Sequence, residues 1–368
     1  MRIGFEAKKM ATNATGIGNY SRGVARLVRE NTDWQCVFFA PRRGPGLPAD
    51  AECVCAPGGT RLGREWWRCR GVVEDIRRRH IDLFHGLSNE LPFGIGRAGC
   101  KTVVTIHDLI FLRYPGTYGT LARHVLKAKT LYACRHADRI IAASECTKRD
   151  LMAFYHVPEE RISVVYQGCD PRFRRRLSPD AIAAVREKYG LPARYVLSVG
   201  TFEPRKNHMG VLRAASMLPD DVHVALAGKA TSWQAKVEDG IGKLGLQGRA
   251  HVLNHVPTDD LPALYQGCAA FVYLSFFEGF GIPVLEASAS GVPVVAASGS
   301  CLEEVGGPTA WYCDPADPAA AADCLKEILA DPNHAAARAS GGQEHARRFS
   351  DREIAQRLME TYYRTIEN

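Results

Sequence analysis

Short apolar runs alternate along this chain with segments in which apolar residues recur every three or four positions. Runs of the first kind fall at 2–7, 36–40, 83–85, 102–106, 139–143 and 162–165. After a break the rhythm resumes at 195–199, 223–227, 250–253, 269–274, 292–296 and 310–312. Such runs read as buried strands, and the segments between them, such as 21–30 and 209–217, as helices. Strand–helix alternation predicts parallel sheets covered on both faces. Two such sets predict an α/β chain of two doubly wound, Rossmann-like domains. The break lies near 170–190, where Pro171 and a basic stretch at 172–176 precede a helix with Ser178 as cap and Pro179 at its first position. The expected domains are therefore 1–174 and 175–349, and an amphipathic helix at about 350–368 is expected to pack back on the first. Ligands of open parallel sheets bind beyond the carboxyl ends of the strands. Two facing sheets then predict a site in an inter-domain cleft, with the chemistry just after strands.

Composition narrows this. At 368 residues the chain exceeds the size at which a single core usually keeps growing. Its 46% hydrophobic and 24% charged residues are ordinary for a soluble protein. No apolar run is long enough to span a bilayer, and the opening MRIGFEAKKM reads as a strand rather than a signal peptide, so a cytoplasmic location is expected. Twelve cysteines spread from Cys36 to Cys324 without a C-x-x-C pair predict reduced thiols and no zinc site. The net charge of +7 is uneven: residues 1–176 carry 30 Lys/Arg against 17 Asp/Glu, the remainder 17 against 23. A basic first half favours an anionic partner, a pyrophosphate or a membrane surface. No recognised nucleic-acid-binding motif is present, so nucleic acid is not expected.

Four segments carry candidate chemistry. The run from Ser275 to Gly291 follows a strand; Pro283 suits a helix start and Gly291 a helix end. Glu278 then lies in a loop that includes Gly281, and Glu286 in the first turn of the helix. Free amides near Val284 and Leu285 would form an anion site reinforced by the helix dipole. On spacing alone, the same residues serve equally well as a helix start with acids suited to the dipole. The run from Ser198 to Asn207 also follows a strand. There Gly200 permits close backbone approach, while Arg205 and Lys206 suit a dense negative charge, in bidentate fashion and as a point charge respectively; a solvated basic turn is the alternative. Gly16 and Gly18, in Thr15-Gly-Ile-Gly, resemble half of a dinucleotide fingerprint. The third glycine and the acidic ribose ligand are missing, which argues against NAD and for a loop lying against a phosphate or sugar. Finally, His107-Asp108 ends an apolar strand, where His107 could donate to a sugar hydroxyl or be structural.

Together these segments resemble glycosyltransferase family 4, which has the GT-B fold. The resemblance runs through Gly16–Gly18, 106–109, 143–151, the Val-Tyr-Gln-Gly-Cys-Asp of 165–170 in place of the usual P-N-G-V-D, Glu-Pro-Arg-Lys-Asn at 203–207 and the E-x7-E pair Glu278…Glu286. It implies that Arg205 and Lys206 bind the donor diphosphate, Glu286 the ribose and Glu278 the donor sugar. His107 would sit near the sugar's far edge, Gly16 would let its loop approach the phosphates, Val256 would line the base and Lys229 lie near the nucleotide. The family retains anomeric configuration, and the resemblance implies a front-face mechanism without a metal or other cofactor. The wording looks most like bacterial mannosyltransferases of polysaccharide assembly, implying GDP-mannose as donor and a glycan or lipid-linked acceptor. UDP-glucose or UDP-N-acetylglucosamine transfer and a nucleotide-sugar epimerase of the same architecture are the alternatives, with a non-catalytic binder of sugar nucleotides less suited to the intact motif. The segment 64–80 joins Trp66 and Trp67 to basic residues at helical spacing. It reads either as a helix resting on an anionic membrane, making the protein peripheral, or as one whose tryptophans are core.

Overall fold

A computed structural model describes residues 1–12 and 16–367. The chain divides into two units, one formed by Met1–Gly168 with the terminal segment from Asp351, the other by Cys169–Ser350. In the first unit seven strands form one sheet: β1 (Arg2–Glu6), β2 (Gln35–Ala40), β3 (Glu52–Cys55), β4 (Leu83–Gly86), β5 (Lys101–Ile106), β6 (Arg139–Ala142) and β7 (Ile162–Val164). All pair in parallel, in the order β3-β2-β1-β4-β5-β6-β7. The second unit has β8 (Tyr195–Val199), β9 (His223–Gly228), β10 (Ala250–Asn254), β11 (Ala270–Tyr273), β12 (Val294–Ala297) and β13 (Trp311–Cys313). These too are parallel, ordered β10-β9-β8-β11-β12-β13.

The expected α/β class and parallel sheets are therefore present. Continuous apolar runs make these strands because both faces of each sheet are covered. Val37 and Phe39 of β2 enter one core with Phe84, while Phe38 and Ala40 enter another with Leu83. The strand absent from the sequence reading is β3, an edge strand with one fully buried residue, Val54, so its sequence lacks a continuous apolar run.

The helix Asp351–Glu367 belongs to the first unit. Its Ile354, Ala355, Leu358 and Tyr362 pack with Ile3, Phe5, Phe38 and Leu83. That i, i+1, i+4, i+8 stripe is what an amphipathic helix lays on a core. In the second unit Ser178 caps the helix Pro179–Lys188, accepting from the Ala181 amide at 3.3 Å.

Strand order reverses beside the first strand of each sheet, at β1/β4 and at β8/β11. Connections leave in opposite directions there, opening a crevice at the carboxyl ends of the strands. No helix among the described residues is long and apolar enough to cross a membrane.

Candidate active site

In the second unit the loops after β8 and β11 meet. Beyond β8, the Gly200 amide donates to the Ala227 carbonyl at 2.8 Å. The Gly200 carbonyl lies so close to Gly228 that a Cβ there would come within 1.9 Å of it, whereas a Cβ on Gly200 would find only ordinary contacts. The strict requirement for glycine thus falls on Gly228. A 3-10 turn, Pro204–Lys206, then leads into Asn207, which adopts a left-handed conformation (φ 54°) and caps the next helix by accepting from the Gly210 amide at 3.1 Å. Asparagine tolerates that backbone better than most residues.

This turn presents Arg205 and Lys206 to Glu278, on the loop after β11. Arg205 Nη1 lies 2.8 Å and Lys206 Nζ 2.7 Å from Glu278 Oε1, which also accepts from Ser275 Oγ at 2.5 Å and Tyr273 OH at 3.0 Å. Arg205 is further fixed on the Phe277 carbonyl (2.6 Å) and Glu203 (2.5 Å). Burial alone would raise the Glu278 pKa, but Lys206 and Arg205, with the Lys206 and Ser275 hydrogen bonds, outweigh it and hold it down to about 2. Glu278 is thus an ionised, immobilised carboxylate. Its Oε2 takes no hydrogen bond from the described residues.

The helix Ile282–Ala289 starts at Gly281, whose φ of 109° suits glycine. Cys301 Sγ holds the preceding loop through the carbonyls of Glu278 and Phe280, at 3.1 and 3.0 Å. Val284 and Leu285 were the expected phosphate donors, but both amides bond the Gly281 carbonyl, at 3.0 and 3.2 Å, and both side chains are buried. The helix-start amides without such a partner among the described residues are those of Gly281 and Ile282. The free amides therefore lie about one turn earlier than expected, because the first carbonyl of a helix engages the amides three and four residues on.

One turn into that helix, half-buried Glu286 accepts from Tyr265 OH at 2.9 Å. Burial raises its pKa to about 7; the Tyr265 hydrogen bond opposes this and the charge of Asp170 adds to it. Tyr265 itself packs edge-on against Phe173, with ring centroids 5.6 Å apart. Lys229 is exposed just beyond β9 and Val256 is half-buried beyond β10, and among the described residues no hydrogen bond or ion pair ties either side chain to the Glu278 cluster.

In the first unit His107 follows β5 and is buried. Its Nε2 lies 2.9 Å from the Leu87 carbonyl, which can only accept, so the proton is on Nε2 and Nδ1 is an acceptor, 3.3 Å from Gln167 Nε2. Both ring nitrogens therefore have protein partners, and the N–H expected to donate to a sugar hydroxyl is taken by the Leu87 carbonyl. Burial, partly offset by the Leu87 bond, lowers its pKa to about 4. The His107 backbone is pinned by Asn89 Oδ1 (2.8 Å) and Thr147 Oγ1 (3.0 Å), and its ring meets Tyr20 edge-on at 4.7 Å. Gly16 is exposed and Gly18 buried at the start of the helix Gly16–Asn31, and a Cβ on Gly16 would meet nothing within 4 Å. Thr15, the first residue of that motif, lies outside the described residues.

Sequence reading missed Tyr273, Ser275 and Tyr265, which orient the two glutamates. Only Ser275, three residues before Glu278, lay in a segment already singled out. The first unit also holds a charged group, where buried Arg68 pairs with Glu90 and Glu65 beside buried Glu6 at the end of β1, a pairing between segments that sequence does not reveal. The acidic pairs 220–221 and 259–260 are ion-paired to Arg249, Arg194, Arg172 and Lys188.

Comparison with known proteins agrees with this geometry. Residues 14–173 match the family model Glycosyltransferase Family 4, and residues 183–345 match Glycosyl transferases group 1. O-antigen chain mannosyltransferase B of Escherichia coli is 30% identical over 380 residues, covering 95% of this chain and 96% of that protein. A D-inositol 3-phosphate glycosyltransferase of Thermobispora bispora is 32% identical over 246 residues, 63% of this chain and 57% of its own. Among solved structures, Anabaena Alr3699/HepE in complex with UDP and glucose superposes with a TM-score of 0.81 at 21% identity, covering 99% of this chain and 100% of that one. The chain therefore belongs to glycosyltransferase family 4 and is a glycosyltransferase of the GT-B fold.

Proposed function

We propose that this enzyme transfers mannose from GDP-mannose to a glycan or lipid-linked acceptor in polysaccharide assembly, with retention of configuration and without a metal. The observation that carries the reading is the cluster of Arg205 and Lys206 around one oxygen of Glu278. Two fixed cations stabilise a departing diphosphate without reorganising, which is where electrostatic catalysis is strongest. The acceptor oxygen bonds to the anomeric carbon as the carbon–phosphate-oxygen bond breaks, and the acceptor proton passes to the departing phosphate. A double displacement would need a free carboxylate nucleophile. Glu278, held near pKa 2 with one oxygen bearing four donors, is a poor one. The mannose reading is supported by the similarity to O-antigen chain mannosyltransferase B and to the serotype-specific mannosyltransferase WbdA of Escherichia coli, the latter 29% identical over 61% of this chain and 29% of its own. Nucleotide release from GDP-, UDP- and dTDP-sugars with a range of acceptors tests it. GDP-mannose is expected to be consumed fastest. UDP-glucose or UDP-N-acetylglucosamine in its place would replace the donor, turnover without acceptor would indicate an epimerase, and no release at all would sink the enzyme reading.

The first unit is the part that would meet a membrane, as a peripheral rather than spanning contact. Trp67 is core, with Nε1 donating to Asp75 at 2.7 Å, so half of the expected aromatic pair is removed. Trp66 and Leu62 remain exposed, as do Leu121 and Val125 on the helix Thr120–His136. No acidic residue occurs between Asp108 and Asp138, a stretch carrying Arg113, Arg123, Lys127, Lys129 and Arg135. Apolar residues beside cations suit an anionic lipid surface. Flotation with anionic vesicles should exceed that with neutral ones, and equal binding would remove the idea.

A further inference from the structure

A cavity of about 900 Å³ lies in the second unit, and its lining includes none of Arg205, Lys206 and Glu278. It collects Arg174, Arg175, Arg176 and Arg186 against a single lining carboxylate, Asp180. None of the four arginines has a salt bridge among the described residues, whereas their neighbour Arg172 is paired with Asp170 and Asp259. Four uncompensated guanidinium groups in one concavity repel each other, an arrangement that a bound anion relieves.

The walls are built rather than incidental. Gln266 clamps the arginine run from below, its Oε1 accepting from the Leu177 amide at 3.0 Å and its Nε2 donating to the Arg175 carbonyl at 2.8 Å. Ser290 Oγ donates to the Phe173 carbonyl at 3.2 Å, and Arg174 Nη2 reaches the Ala346 carbonyl at 3.2 Å. Arg186 Nε is buried without a hydrogen-bond partner among the described residues. Arg175 and Arg176, by contrast, are exposed. The cavity sits at the far end of the helix Ile282–Ala289 from its donor-site start, which at 1.5 Å per residue is roughly 12 Å away.

We propose that this cavity is a second anion site, distinct from the donor pocket, for a ligand carrying clustered phosphate groups. Planar guanidinium forks suit phosphate oxygens, and several together favour a polyphosphate over a single carboxylate. The ligand is either a free phosphorylated molecule or a phosphate-bearing lipid headgroup, and the test separates them.

The full chain is titrated with tripolyphosphate by calorimetry at low ionic strength, alongside Arg175→Ala/Arg176→Ala and Arg205→Ala. Both arginines of the double variant are exposed, so its melting temperature should match wild type. If the ligand is free, wild type and Arg205→Ala share a binding event that the double variant weakens about tenfold or more, as expected when charge-assisted hydrogen bonds are removed. If it is a headgroup, the double variant instead loses the excess of co-sedimentation with phosphatidylinositol bisphosphate vesicles over phosphatidylglycerol vesicles of equal charge, a difference that generic attraction of the first unit to anionic lipid would not supply. Unchanged behaviour of the double variant in both arms, or tripolyphosphate binding that only Arg205→Ala removes, would overturn the proposal. Because Arg205→Ala reports on the donor pocket by itself, failure of this site and failure of the transferase reading are read separately.

Discussion

Each unit carries its candidate residues on loops at the carboxyl edge of a sheet whose strand order reverses, yet the two edges differ in electrical character. Around Glu278 in the second unit, two cations and a carboxylate share one oxygen. The groups bonded to the His107 ring in the first, the Leu87 carbonyl and Gln167, are neutral, while the charges of that edge, Glu6, Arg68 and Glu90, are gathered in a cluster of their own. Burial holds His107 near pKa 4 and His85 near 3. A buried chain of hydrogen bonds links Tyr362 to His85 (2.6 Å), His85 to Thr105 (2.8 Å) and Thr105 to Tyr20 (2.8 Å). Fixed charges suit a diphosphate, whose charge grows as it leaves. Neutral hydrogen-bonding groups suit a sugar, where a charge would bring a desolvation cost without a counter-ion.

Removing the central carboxylate should have the largest effect. Glu278→Ala leaves Arg205 and Lys206 facing each other with no shared counter-charge, and loss of one member of a buried ion pair costs about 3–5 kcal/mol. Urea unfolding should show that loss, with Glu278→Gln much milder because it keeps the packing and an acceptor oxygen. Equal midpoints for wild type and Glu278→Ala would mean the cluster is not the organising centre of this edge. Next comes Arg205→Ala. Removing one preorganised group that stabilises developing charge lowers kcat by roughly 10²–10³-fold. Turnover at the wild-type rate would refute the leaving-group assignment.

The two glutamates of the E-x7-E pair sharpen the contrast through pH. Glu278 has its folded pKa depressed to about 2, so its contribution to stability is present above its ordinary 4.5 and lost as pH falls toward 2. Glu286 has its folded pKa raised to about 7, so the folded state holds the proton more tightly, and stability falls as pH rises from 4.5 to 7. On the proposal that Glu286 holds the ribose hydroxyls, which donate best to a carboxylate, donor kcat/KM should rise by up to about tenfold per pH unit below 7 and level off above it. Glu286→Gln should flatten that limb. A limb that survives in Glu286→Gln would assign it to another group, although His107, already neutral at these pH values, is not expected to supply it.

The same contrast explains what could be read without coordinates. The parallel sheets were legible because strands covered on both faces leave continuous apolar runs, and β3 was not because an edge strand does not. Arg205, Lys206, Glu278 and Glu286 stand in short local motifs, where spacing carries the information. The groups that orient them come from elsewhere: Tyr265 is 21 residues from Glu286, and Tyr273 is a strand residue whose hydroxyl looks like any other tyrosine's in sequence. The neutral chain of the first unit was illegible for the same reason, since Tyr362 and His85 lie 277 residues apart. Helix-start geometry also decided which amides are free, and those of Val284 and Leu285 are not.

That chain gives the smallest of the expected effects. A neutral imidazole has one donor and one acceptor, so His85 can pass the hydrogen-bond direction along from Tyr362 to Thr105, or back, but cannot satisfy both nitrogens alone. Tyr362→Phe removes the hydroxyl and leaves His85 Nδ1 buried without its partner, a cost of about 1–3 kcal/mol by analogy with other orphaned buried groups. The ring of Tyr362 stays in place against Trp34 and the core, so packing is retained and the urea midpoint should fall at unchanged slope. A second substitution, His85→Phe, should then add less to Tyr362→Phe than it costs alone, because the shared bond is already gone. Strict additivity would show that the chain is a row of separate contacts. These neutral groups would then be held by packing alone, unlike the Glu278 cluster of the second unit, where one oxygen ties four groups together.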